Sequence, residues 1–425
     1  MVRQGLTPIN KYLNKHALNS PWRIEGNDRC NFAAAVVIPA LAEGDSLWAT
    51  LASLAANPAD CLARTLVLVV VNQRVDADEA DRLANLADLL RLQRDGKNLH
   101  PLQLAWVDAA TPDLELPAKG GGVGLARRIG FDLALNRLDL NRPSPFLVAL
   151  DADTLVGPDY LPALFRHFQT ASAGGAVLPF AHQDGAGAAG QAAIERYELF
   201  LRHYVLGLSL AGSPYAFHSV GSALACRAEA YARAGGMNKR PAGEDFYFLQ
   251  QLAKTSGVAQ VRGTLVRPSP RPSARTPFGT GRSVARLLAG EEDAVSFYHP
   301  DCFRILGRWL QLAAGRLLLD GEQLIREAAA ICPDLAGHLR EIGFAAVWAR
   351  LRRNHPTPEA LGKAFHDWFD GLASLRLIHH LGSGPRARCR PEDSLPQLLQ
   401  WAKLEDAGHV SGWLRTLRSH QRGGI

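Results

Sequence analysis

Two aspartates stand one residue apart where an apolar run ends: Asp151 and Asp153 in PFLVALDADTLVGPDYL (145–161). A carboxylate beside a buried strand is costly unless a partner offsets its charge. In extended chain, residues two apart face the same side. Asp151 and Asp153 are therefore expected to project together while Ala152 points away, and Gly157 and Pro158 should stop the strand. The carboxyl ends of strands are where ligands gather in open α/β sheets. Two carboxylates there suit a hard divalent cation, since Mg2+ takes one or two carboxylates together with water and substrate phosphates. A solvated turn with an Asp capping the next helix is the plainer reading of the same residues.

A second acidic pair, Glu244 and Asp245, follows Gly243 and opens the amphipathic run FYFLQQLAKTSG. Acids favour a helix N-terminus through the macrodipole alone. The chemical reading is a general base that takes a proton from an attacking hydroxyl. Neighbouring helical residues diverge, so only one reaches a substrate. Asp245 is the expected base, with Glu244 orienting it or the acceptor.

Three further stretches hold candidate binding residues. KGGGVGLARRIG (119–130) places glycines ahead of Arg127 and Arg128. Backbone N–H groups there can approach an anion, and either guanidinium can reach a phosphate. The stretch does not follow a strand directly, which counts against a dinucleotide fingerprint. In VVIPALAEGDS (36–46) a strand ends at Pro39, and Glu43 precedes the next helix. Glu43 can accept hydrogen bonds from a base or ribose, or simply start that helix. In PSPRPSARTPFGTGRS (268–283) the prolines forbid a helix and the arginines keep their charge. It reads as a basic loop able to close over a pyrophosphate, or as an exposed linker.

The elements that must position these residues follow from the apolar pattern. FAAAVVIPA (32–40), TLVLVVVNQ (65–73), LQLAWVDA (102–109), PFLVALDAD (145–153) and AVLPFAHQ (176–183) read as strands. Helical runs such as LWATLASLAANPA and DEADRLANLADLLRLQ alternate with them. Near-continuous apolar strands alternating with helices predict an α/β fold, a mostly parallel sheet covered by helices. QAAIERYELFLRHYVLGLSLA (191–211) is expected to be a helix, and AFHSVGSALACRAEAYARAGGMN (216–238) a strand then a helix stopped by Gly-Gly. From about residue 284, Leu, Ala and Arg recur at helical spacing and no strand is expected. The expected organisation is a polar, irregular N-terminal extension (1–30), an α/β domain (31–285) and an α-helical C-terminal region (286–425). The closing LRSHQRGGI is expected to fray.

At 425 residues, with 47% hydrophobic residues, the chain has material for more than one core. A net charge of +6 suits a solvated surface or a basic cleft for phosphorylated ligands. No Lys/Arg block is interleaved with aromatics, so no nucleic acid partner is expected. Cys30, Cys61, Cys226, Cys302, Cys332 and Cys389 form no CxxC pair and read as reduced thiols of a cytoplasmic protein. No window has the apolar length of a membrane span or a signal peptide. A soluble, cytoplasmic protein is expected; Arg-rich helices such as WARLRRN (348–354) have the composition for peripheral contact at the inner membrane face, though a packed structural cover is the preferred role of that region.

The order of these stretches carries a resemblance. A strand with Pro39 and then Glu43, a Gly-rich segment with Arg127, D-x-D at a strand end, and GED about ninety residues later recur together. This resembles family-2 glycosyltransferases with the GT-A (Rossmann-like) fold, across residues 32 to 283. The resemblance implies transfer of a single sugar from a nucleotide-diphospho-sugar, a UDP-sugar favoured, to an acceptor hydroxyl on a small molecule or lipid-linked glycan. It implies inversion at the anomeric carbon and a metal cofactor, Mg2+ or Mn2+. Pro39, Ala40 and Glu43 would line the nucleoside pocket, and Arg127 would sit beside the nucleotide. Asp151 and Asp153 would serve the ribose and the metal, Asp153 as the preferred metal ligand. Asp245 would be the base.

The sequence departs from that family in two places. Asn72 and Gln73 stand where members usually carry acids, which leaves the nucleotide base open. The QxxRW motif of processive members is missing, since Ile305 stands where Gln would precede Arg308 and Trp309. A non-processive enzyme is therefore expected. His218 and His299 stay unassigned. A sugar nucleotidyltransferase is the alternative within enzymes, but PALAEGDS lacks the Gly-rich basic loop it needs after the first strand. A non-catalytic sugar-nucleotide or glycan-binding protein is the alternative outside them.

Overall fold

The first two apolar runs become β1 (Ala34–Ala40) and β2 (Thr65–Asn72), and every residue of both is buried. In chain order β3 (Gln103–Ala109), β4 (Phe146–Ala149), β5 (Leu155–Val156), β6 (Gly175–Val177), β7 (Leu224–Arg227), β8 (Val258–Gln260) and β9 (Val266–Arg267) follow. The computed structural model describes residues 7–18, 20–240, 242–273, 275 and 277–422. Seven strands form one sheet in the order β3-β2-β1-β4-β7-β6-β8, and β5 pairs with β9 apart from it. Only β7 runs against its neighbours in the large sheet. The chain is thus α/β, with a mostly parallel sheet flanked by helices and a helical C-terminal region.

Two compact units divide the chain: Met1–Gly185 with Ser219–Arg282, and Ala186–His218 with Ser283–Ile425. In the first, β1 pairs with β2 on one side and β4 on the other. The chain moves outward to β3 and then returns to β4. That reversal opens a crevice at the carboxyl ends of β1 and β4. The helix Val123–Leu135 covers the sheet through Gly130, where an added Cβ would lie 2.3 Å from Val37 Cγ1. A methyl there would overpack the core by about 1–3 kcal/mol.

Three expectations are corrected. The N-terminal extension is not irregular throughout: Pro8–Lys15 is a helix, capped by Thr7, whose Tyr12 hydroxyl donates to buried Asp132 at 2.7 Å. Residues 1–6 lie outside the described ones. The run AVLPFAHQ enters the sheet only through β6, because Pro179 has no N–H to give and its carbonyl accepts from Val266 instead. The closing segment is helical as far as Arg422, in the helix Val410–Arg422, and 423–425 lie outside the described residues.

The second unit is helical, and no strand occurs among its described residues. The helix Gly187–Leu210 packs on Pro300–Gly315 through Gly207, whose Cβ would meet the Phe303 ring at 2.5 Å. Trp309 anchors that core, edge-on to Phe344 with ring centroids 5.0 Å apart. No helix among the described residues is long and apolar enough to cross a membrane.

Candidate active site

β4 ends at Ala149, so Asp151 and Asp153 sit in the turn that follows it and not within the strand. The Thr154 amide donates to the Asp151 carbonyl at 3.1 Å, and Thr50 Oγ1 donates to the Ala152 carbonyl at 2.9 Å. A turn, and not strand alternation, therefore sets where the two carboxylates point. They still share one electrostatic environment. The Asp153 carboxyl is pushed up to about 7, first by burial, then by the charges of Asp151 and Glu43, against Arg271.

Asp151 pairs with the guanidinium of Arg127. The same guanidinium pairs with Glu244, and both of these side chains are almost fully buried. Arg127, expected beside the nucleotide, thus lies under the site and links the turn after β4 to the first turn of the helix Glu244–Ser256. Close backbone approach makes this possible. A Cβ on Gly124 would meet the Arg240 carbonyl at 2.3 Å and Glu244 Cβ at 3.0 Å. A Cβ on Gly221 would strike the Arg127 guanidinium. Gly124 and Gly221 therefore serve packing. Arg128 donates to the carbonyls of Met237 (3.0 Å) and His16 (2.9 Å), and so stays structural.

Asp245 is placed differently from its neighbour. Its carboxylate accepts only a local hydrogen bond, from the Phe246 amide at 2.7 Å, and forms no ion pair closer than 4 Å among the described residues. Burial raises its affinity for a proton, with Asp151 adding to the effect and Arg127 opposing it. A half-buried carboxylate with raised proton affinity suits a general base.

Pro39 and Ala40 are buried at the end of β1. Glu43 follows in a tight loop, with Ala42 at φ 50° and Gly44 also at φ 50°. Positive φ at an alanine is uncommon and marks local backbone strain. Buried polar side chains hold this loop. Asn85 Oδ1 accepts from the Ala42 amide at 2.7 Å, and Asp88 Oδ2 accepts from the amides of Glu43 and Gly44 at 3.3 and 3.2 Å. Asn72 donates to the Ala40 carbonyl, and Asn85 donates to Gln73 Oε1. Sequence reasoning missed Asn85 and Asp88. The apolar pattern of their helix, Glu79–Asp95, hid them: Leu83, Leu86 and Leu90 are exposed, while Asn85 and Asp88 are buried beside Leu89 and Leu92.

The basic loop reaches the same place. β9 pairs antiparallel with β5, just after the Asp153 turn, and seats the loop there. Gln183 reinforces this by donating to the carbonyls of Asp153 (2.9 Å) and Arg267 (2.8 Å). Arg271 Nη2 lies 2.6 Å from Glu43 Oε2 and 3.7 Å from Asp153 Oδ2. Arg275 bonds the Leu41 carbonyl at 2.7 Å and Glu43 at 3.1 Å. The loop also shortens at its far end, because a helix begins at Thr280. Ala274 and Thr276 lie outside the described residues.

His218 and His299 both belong to the second unit. His218 shares a hydrogen bond with Gln421, and His299 caps the helix Pro300–Gly315.

The carboxylates outnumber the guanidiniums in this crevice, and Arg271 stands between Glu43 and Asp153 as a cation would. That donor set fits a hard divalent ion. No family model matches the sequence, and no curated protein matches it. Among solved structures, S. aureus TarS 1–349 in complex with UDP-GlcNAc aligns at 13% identity and a TM-score of 0.38, over 92% of this chain and 92% of that one. Mannosyltransferase PcManGT from Pyrobaculum calidifontis, in complex with GDP-Man and Mn2+, aligns at 15% identity and a TM-score of 0.37, over 85% and 93%. Alignments this loose leave the chemistry to the site itself.

Proposed function

We propose that the chain is a GT-A-type glycosyltransferase, related to family 2, that moves one sugar from a nucleotide-diphospho-sugar to an acceptor hydroxyl. The observation that carries this reading is the convergence of Glu43, Asp151, Asp153 and Asp245 at the crevice between β1 and β4, braced by buried Arg127.

Pro39 and Ala40 bound the nucleoside pocket, and Glu43 accepts from its base or ribose. Asp151, fixed by Arg127, faces the ribose side, while Arg271 and Arg275 offer guanidiniums to the diphosphate. A Mg2+ or Mn2+ ion held by Asp153 and Asp151 would offset charge on the departing diphosphate. Asp245 takes the proton of the acceptor hydroxyl. The acceptor oxygen bonds to the anomeric carbon as the bond from that carbon to the diphosphate oxygen breaks. The electron pair of that bond leaves with the nucleoside diphosphate, and the sugar inverts. Glu244, spent on Arg127, positions the site and takes no part in proton transfer.

The acceptor is a small molecule or a lipid-linked glycan, and a UDP-sugar is the favoured donor. The experiment is a panel of UDP- and GDP-sugars with Mn2+, reading nucleoside diphosphate release and donor-dependent thermal stabilisation. Nucleoside diphosphate as product supports transfer. Pyrophosphate would instead indicate a nucleotidyltransferase, and binding without any product a non-catalytic protein.

A further inference from the structure

The helical unit gathers three side chains of metal-binding type that the transfer chemistry does not use. His338 and Glu341 stand three apart on the helix Pro333–Glu341, and so share a face. His380 comes from the helix Gly371–Leu381. Each offers a ligand atom, and these atoms lie within 4.8 Å of one another. The rings of His338 and His380 are 4.8 Å apart between centroids, tilted by 45°. A second observation points the same way. His338 is buried, and its Nδ1 has no hydrogen-bond partner among the described residues. Buried side-chain nitrogens usually have one, and this nitrogen is on the ring that lies beside His380.

We propose that His338, Glu341 and His380 form a binding site for a divalent transition-metal ion, Zn2+ by preference, joining the two helices. Two imidazoles and a carboxylate are a zinc ligand set, whereas Mg2+ prefers oxygen ligands alone. Ligand atoms around a tetrahedral zinc stand roughly 3.4 Å apart, given bonds of about 2.1 Å. Glu341 and His380 are exposed, so rotation of their side chains closes the remaining gap. Three protein ligands leave the fourth position to water. Because the set is assembled only when the two helices are packed, zinc binding stabilises the folded unit.

The test uses the full chain, stripped with EDTA, dialysed and titrated with Zn2+ by calorimetry. The proposal expects a larger rise in melting temperature with Zn2+ than with Mg2+, and, for one equivalent of Zn2+, at least tenfold weaker binding in His380→Gln and in Glu341→Gln. Both substitutions lie at exposed positions and leave the core untouched. Asp153→Ala should keep the equivalent, which separates this site from the acidic crevice. Binding of equal affinity in wild type and both variants means an adventitious ion only, and overturns the proposal, as does a wild-type chain that takes up no zinc.

Discussion

Arg127 and Glu244 lie 117 residues apart in sequence, yet they form an ion pair that is almost fully buried, and the same guanidinium holds Asp151. One cation thus ties the turn after β4 to the helix that presents Asp245. A buried pair broken on one side leaves an uncompensated charge, which is far costlier than the loss of a surface pair.

Arg127→Met should therefore destabilise the chain by about 3–5 kcal/mol. Denaturant unfolding measures it. The double change Arg127→Met with Glu244→Gln should recover part of the loss, since no charge then stays buried alone.

Arg271 and Arg275 occupy Glu43 from the basic loop. In Arg271→Ala/Arg275→Ala a competing cation is removed, so apparent Mn2+ affinity should tighten. Nucleoside diphosphate affinity should fall by about tenfold, because charge-assisted contacts to the phosphates are lost. Mn2+ and nucleotide titrations read the two effects separately.

Asn85 bonds the loop that carries Glu43 and Gln73 behind it. Asn85→Ala leaves the Ala42 amide and Gln73 Oε1 without their partner, at a cost of about 1–3 kcal/mol in stability. The kinetic signature should be a raised donor KM with kcat little changed.

His203 is buried beside Phe297, Tyr298 and Phe303, shares a hydrogen bond with Ser394, and is pushed down to about 3, chiefly by burial. The unfolded chain takes up a proton here below its ordinary value near 6.5, while the folded one does not. The unfolded state then binds more protons, so stability falls as pH drops from about 6.5 towards 3. In acid unfolding followed by circular dichroism, His203→Gln should show a shallower dependence across that window.

The alternation of apolar strands and helices was legible because β1 and β2 are buried on both faces, which demands continuous apolar runs. Asp151 and Asp153 were legible as a strand-end pair, but the strand stops at Ala149, and the turn that orients them depends on Thr50 from another element. The Arg127 clamp was not legible: a pair 117 residues apart leaves no mark in local pattern. Tyr12 with Asp132, 120 residues apart, hid the N-terminal helix in the same way. The reach of Arg271 and Arg275 to Glu43 follows from the β5–β9 pairing, two residues long on each side and too short to read from sequence.

We propose Asp245 as the base in transfer from a nucleotide-sugar. The most direct measurement is turnover of Asp245→Asn, with the donor and Mn2+ identified in the panel, beside its donor affinity. With Asp245 as the base, kcat should fall by about 100-fold or more while donor binding stays near wild type. Turnover by Asp245→Asn at a rate close to wild type would contradict it.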